Sequence, residues 1–167
     1  MTRSFRSFGL GAALALVIAG GIGTVPQTAQ AINPTSTAAI NVEADAVILH
    51  GYDPVAYFTM GKPTKGNAKY RTTYRGAVYH FASQANRAKF LVDPAHYAPQ
   101  FGGFCAMGVA LGKKLDVDPT QFKVVDGRLY LNVNADVFKK WSEDVSGNIA
   151  RAEANWPAIK DKAPSAL

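Results

Sequence analysis

The chain has 167 residues, 18 Lys and Arg against 12 Asp and Glu, a net charge of +6, and one cysteine. That length suits one domain with one core. The moderate charge, without a basic run, argues against nucleic acid as a partner, and a lone thiol excludes an internal disulfide.

Arg3 and Arg6 precede an apolar, Gly/Ala-rich stretch from Leu10 to Ile22, and Thr28-Ala29-Gln30-Ala31 supplies the small-x-small pattern of a signal-peptidase site. The apolar stretch is too short and too rich in glycine for a comfortable membrane span. Residues 1–31 are therefore expected to be a signal peptide cleaved after Ala31, with a retained anchor as the alternative. The product is expected in the periplasm or secreted, without stable membrane insertion. A lipoprotein is not expected, since no Cys lies near the cleavage site. Cleavage leaves about 136 residues and removes two basic residues and no acid, so the net charge falls to about +4. At that charge a weak preference for anionic surfaces is open.

Residues 32–45, with Pro, Ser and Thr, read as a flexible leader. Ala46 to Leu49 is a short apolar run, a strand or a buried edge, broken by Gly51-Tyr52-Asp53-Pro54. Asp-Pro recurs at Asp93-Pro94 and Asp118-Pro119, each time with an apolar or aromatic residue before it and an aromatic four residues after the Asp. Asp caps a helix, Pro suits the first helical position, and the flanking pair forms a hydrophobic staple. Three helix or single-turn starts are predicted, each Asp→Ala costing roughly 0.5–2 kcal/mol. Capping explains the neighbours as well, so it outweighs a role for these Asp residues as acids or ligands.

Lys69 to Tyr74 alternates as a strand, and Ala77, Tyr79 and Phe81 share one face of the next, with Val78 and His80 on the other. Arg75-Gly76 reads as the turn between them. Ser83 caps a following helix that ends at Asp93-Pro94. Gly102 to Gly112 reads as a Gly-spaced loop carrying Cys105 and Met107. Phe122 to Val125, the Asp126-Gly127 turn and Leu129 to Val133 form a second hairpin. Asn134 and Ser146 are expected to cap two further helices, and the chain after Pro157 reads as a disordered tail. The expected fold is α+β: one small domain over 46–157, with an antiparallel sheet built from two hairpins, peripheral helices, and a tail over 158–167.

The run Tyr79-His80-Phe81-Ala82-Ser83, followed by Phe90-Leu91-Val92-Asp93-Pro94 and Tyr97, resembles the YHS domain. Gly51 to Phe58, Gly102-Gly103-Phe104-Cys105, Val109 to Gly112, Gly147-Asn148-Ile149 and Asn155-Trp156-Pro157 are similar to further parts of exported bacterial YHS-domain proteins. The family is similar to TRASH metal-binding modules and occurs in heavy-metal pumps and metal-dependent monooxygenases, so the resemblance implies transition-metal handling. In the metal-binding relatives the strand ends in Phe-Cys-Ser and a second Cys begins the helix. Here those positions are Ala82 and Asn86, so that thiolate pair is not carried over.

His80, Cys105 and Met107 are the leading candidate ligands, a set of imidazole, thiolate and thioether that would suit copper. The plainer readings are a hydrogen-bonded strand histidine, a small buried hydrophobe and a core methionine. His96 and His50 are weaker candidates. A thiolate activated by imidazole would make Cys105 a nucleophile, although no phosphate loop, Gly-x-Ser-x-Gly or His-Glu-x-x-His is present. Three functions stand open. A non-enzymatic carrier of a transition metal, copper favoured, or of a metal-bearing ligand comes first. The others are a thiol-dependent enzyme or redox partner using Cys105, and an accessory domain docking on another exported protein. A homodimer paired through Cys105 is also open.

Overall fold

Two antiparallel hairpins carry the fold, which is α+β as expected. The computed structural model describes residues 32–167; the expected signal peptide over 1–31 lies outside the described residues. Strand β1 (Asn67–Tyr74) pairs with β2 (Ala77–Phe81), and β3 (Asp118–Val125) with β4 (Arg128–Asn132). Each closes on two residues of positive φ, Arg75 and Gly76 at 49° and 82°, Asp126 and Gly127 at 48° and 69°. Two successive positive values match a tight turn to the twist of the strands. The helices are α1 (Pro54–Thr59), α2 (Gln84–Val92), α3 (Pro94–Tyr97), α4 (Ala106–Ala110), α5 (Ala135–Ser142) and α6 (Val145–Ile159).

The alternation along β2 sets the core. Ala77, Tyr79 and Phe81 are buried, while Val78 and His80 stay half-exposed. Phe90 of α2 closes on that face, its ring centroid 4.7 Å from Tyr79 and 5.1 Å from Phe81. Val55, Tyr57, Cys105, Leu129 and Leu131 complete this cluster. A second cluster joins Phe104, Val109, Trp141, Ala152 and Ile159 beneath α6, and Met107 packs against both.

Ser83 and Asn134 cap α2 and α5, accepting from the amides of Asn86 and Val137. Asp53 and Asp93 cap α1 and α3, each followed by Pro at the first helical position. The third Asp-Pro behaves otherwise. Asp118 opens β3, and its carboxylate accepts from the Thr120 amide and hydroxyl in a local turn. The β-prone run that follows pairs with β4, and Tyr57 donates its hydroxyl to the Pro119 carbonyl at 2.9 Å, holding the segment extended. Ser146 is not the cap of α6 either. Asp144, two residues earlier, accepts from the Gly147 amide, and the helix runs past Pro157 to Ile159. The Gly-spaced loop contains α4, capped by the Cys105 sulfur.

The segment read as a flexible leader is tied down. The Asn41 amide donates to the Gly102 carbonyl at 2.8 Å, and Val42 bridges to Ile48. The tail is held as well: the Ser165 amide donates to the Pro34 carbonyl at 2.9 Å. Lys114, only 2% exposed, explains why. Its ammonium donates to the carbonyls of Ala38, Lys160 and Lys162 at 2.8, 3.0 and 2.8 Å and lies 4.8 Å from the Phe104 ring centroid. Burial pushes its pKa down, but three carbonyls satisfy all three of its donors.

Candidate functional site

Leu49, His50 and Gly51 take positive φ values of 57°, 50° and 74° in succession. For the two residues that carry a Cβ this backbone is unfavourable, and such strain gathers at functional sites. The turn sends Leu49 into the core and sets the His50 ring in the wall of a cavity of about 550 Å³ that Glu43 and Asp116 also line. His50 Nδ1 lies 2.7 Å from Glu43 Oε1, and Nε2 lies 3.1 Å from Asp116 Oδ1. The same Asp116 oxygen accepts from Asn41 Nδ2 and from the Val117 amide, both at 2.8 Å.

The hydrogen bond to Asp116 is the largest cause that raises the His50 pKa to about 9, and the bond to Glu43 adds to it against the opposing effect of burial. At neutral pH the ring is an imidazolium between two carboxylates. Burial alone would raise the Asp116 carboxyl; the bonds from His50, Asn41 and Val117 outweigh it and hold that carboxyl below its ordinary value. One positive and two negative groups leave the wall with an anionic excess.

The residues singled out from the sequence do not converge. Cys105 is fully buried among core residues, on the side of the hairpin faced by Tyr79 and Phe81. Burial pushes its thiol up. The sulfur accepts from the Gly108 amide at 3.4 Å and donates to Asn132 Oδ1 at 3.6 Å, so it caps a helix and fills the core. His80 points from the opposite face of β2, its Nδ1 3.3 Å from where a Cβ on Gly51 would lie. Met107 is packed between the two clusters. His96 is exposed beside Phe58 and Tyr97, with ring centroids 4.9 and 4.7 Å away. The copper-type set of His80, Cys105 and Met107 is therefore not assembled.

The two positions that carry thiolates in the metal-binding relatives are both hydrogen-bonded to Asp53. One oxygen of this fully buried carboxylate accepts from the Val55 amide at 2.8 Å. The other accepts from the Ala82 amide at 2.8 Å and from Asn86 Nδ2 at 2.7 Å. A metal does not fit there, because a lone, fully buried carboxylate is accompanied by an alanine and an amide side chain where the relatives have thiolates. Among the described residues, no three or more His, Cys, Asp or Glu side chains gather in a way that would hold a metal ion. His50, with Asp116 and Glu43, sets both imidazole nitrogens against carboxylate oxygens in a cavity wall.

Sequence reasoning named His50 but not its partners. Glu43 sat in the presumed leader, and Asp116 stood between Leu115 and Val117 with no motif around it. No local signal joins residues brought together only by tertiary structure. No helix among the described residues is long and apolar enough to cross a membrane.

Comparison with curated proteins and with solved structures returned no match. Residues 55–101 match the family model described as YHS domain. That segment runs from the first turn of α1 through β1, β2, α2 and α3, begins two residues after Asp53, and carries a YHS domain.

Proposed function

We propose that this chain is a non-enzymatic binding module that holds a transition-metal ion, copper(II) foremost, at His50 and Asp116. The observation that carries the reading is the 3.1 Å separation of His50 Nε2 and Asp116 Oδ1 in the cavity wall. A single ion with bonds of about 2.0–2.2 Å spans such a pair. Glu43 on Nδ1 supports it, because a carboxylate on the far nitrogen of an imidazole orients the ring and raises its basicity as a ligand. Imidazole with carboxylate suits copper(II), nickel and zinc, and copper(II) stands highest in affinity for such donors. Copper(I) would want the sulfur of Cys105, which is out of reach. The metal-handling context of the resembling family supports the ligand class. A thiol-dependent activity has the burial of Cys105 against it.

The ring must give up a proton to bind. With a pKa of about 9, one proton is released per ion near neutrality, and affinity falls about tenfold for each pH unit below that value. Titration calorimetry with copper(II) at pH 7, in two buffers of different ionisation enthalpy, reads both quantities. Binding of one ion with release of close to one proton, lost in His50→Ala and weakened in Asp116→Asn, is expected, while Cys105→Ala binds as wild type. Binding that depends on Cys105, or that survives His50→Ala unchanged, would overturn the assignment.

A further inference from the structure

The cavity beside His50 is larger than one ion needs. Its volume is about 550 Å³, whereas an ion with a shell of about six waters fills roughly 180 Å³, at ~30 Å³ for each water. Cavities of roughly 300–1,000 Å³ are those that take small organic molecules. The donor count falls short as well. Glu43 sits on Nδ1, the far nitrogen of the ring, so one ion meets two protein donors, His50 Nε2 and an Asp116 oxygen. Among the described residues no group of three or more His, Cys, Asp or Glu side chains is placed to hold an ion. Copper(II) prefers a tetragonal set of nitrogen and oxygen donors, so two of the four in its plane must come from elsewhere. The remaining lining has two characters. Ile32, Val42 and Val47 form an apolar flank, and Asn33 and Ser36 a polar one. Asn33 Oδ1 already accepts from the Thr35 amide and hydroxyl, and Ser36 Oγ from the Ala38 amide. These two side chains therefore offer the cavity an amide N–H and a hydroxyl proton.

We propose, on the premise that copper(II) binds at His50 and Asp116, that the cargo is the ion's one-to-one chelate with an α-amino acid bearing an apolar side chain. Such an amino acid, after losing its ammonium proton to solvent, gives copper(II) its amino nitrogen and one carboxylate oxygen in a five-membered ring. Those two donors, with His50 Nε2 and Asp116, make the plane of four. The second carboxylate oxygen accepts from Asn33 and Ser36, and the apolar side chain lies against Ile32, Val42 and Val47. The charge of the wall selects among chelators. Two carboxylates, Glu43 and Asp116, stand against one imidazole, and the copper complex of one amino acid carries a net positive charge. A di- or tricarboxylate chelator would set an anionic complex against those carboxylates. Water in the two open positions would complete the metal but leave the apolar flank wet.

The test is equilibrium dialysis of the full chain with radiolabelled leucine and copper(II), each alone and both together. Wild type and variants carry the same N-terminus, so residues 1–31 contribute equally to all. Retention of close to one leucine per chain is expected with one equivalent of copper(II), and none without it. His50→Ala should lose both. Asn33→Ala/Ser36→Ala should weaken leucine retention about tenfold, as loss of one or two hydrogen bonds does, while copper(II) alone is retained as by wild type. Radiolabelled citrate in place of leucine should not be retained. Copper retained through His50 with no leucine beside it would overturn the proposal and leave the site as one for the bare ion. Absence of copper from wild type in every arm would overturn the metal reading along with it. Leucine retained without copper, or retained by His50→Ala, would also overturn the proposal.

Discussion

Asp53→Ala should be far more damaging than the loss of an ordinary cap. The carboxylate is fully buried and accepts from Val55 N, Ala82 N and Asn86 Nδ2. A hydrogen bond to a charged acceptor is worth about 1.5–3 kcal/mol, and a buried donor left alone costs about 1–3 kcal/mol. The Val55 amide stays dry after the substitution, while water can reach Ala82 and Asn86, which are exposed and half-exposed. The three together come to about 3–5 kcal/mol, a large share of the roughly 5–15 kcal/mol that holds a domain folded. Asp93→Ala removes one bond at an exposed helix start, to His96 N at 3.2 Å, and should cost about 1 kcal/mol. Guanidinium unfolding followed by circular dichroism reads both. Asp53→Asn should fall between them, since the amide keeps one acceptor and turns a donor toward the other two groups. A double-mutant cycle with Asn86→Ala should return a coupling of about 1 kcal/mol or more. If Asp53→Ala and Asp93→Ala lie within about 0.5 kcal/mol of each other, the lock between α1, β2 and α2 contributes nothing beyond a cap.

Two further outcomes follow from the titrating groups. His50 has a folded pKa of about 9 against 6.5 for the free side chain, so its contribution is fully present below the lower value and lost as pH rises through the upper one. The loss between those values is of the order of 3 kcal/mol. Stability measured across that window should decline in wild type and stay flatter in His50→Gln. The buried Cys105 thiol, pushed up in pKa by desolvation, should resist iodoacetamide in the native protein and react only as fast as the chain unfolds. Rapid native labelling would mean that the sulfur is accessible.

Features set by neighbouring residues were legible in the sequence. Alternation along Ala77-Val78-Tyr79-His80-Phe81, the two turn dipeptides and the caps at Ser83, Asp93 and Asn134 all rest on contacts a few residues long. Asp118-Pro119 shows where local chemistry gives way. It carries the same pattern as its two counterparts, yet strand pairing with β4 and the hydroxyl of Tyr57 keep it extended. Burial of Cys105 stood as one of several readings, because a glycine-rich surrounding reads as loop until its neighbours in space are known.

The lysine that fastens the Ala38 carbonyl to those of Lys160 and Lys162 makes the first described residues and the last share one anchor. A C-terminus clipped before Lys160 strips two of the three acceptors from the ammonium and leaves the Ala38 carbonyl, three residues before Asn41, as its one remaining partner. Trimming at one extremity would thus be felt at the other, on the approach to the His50 cavity.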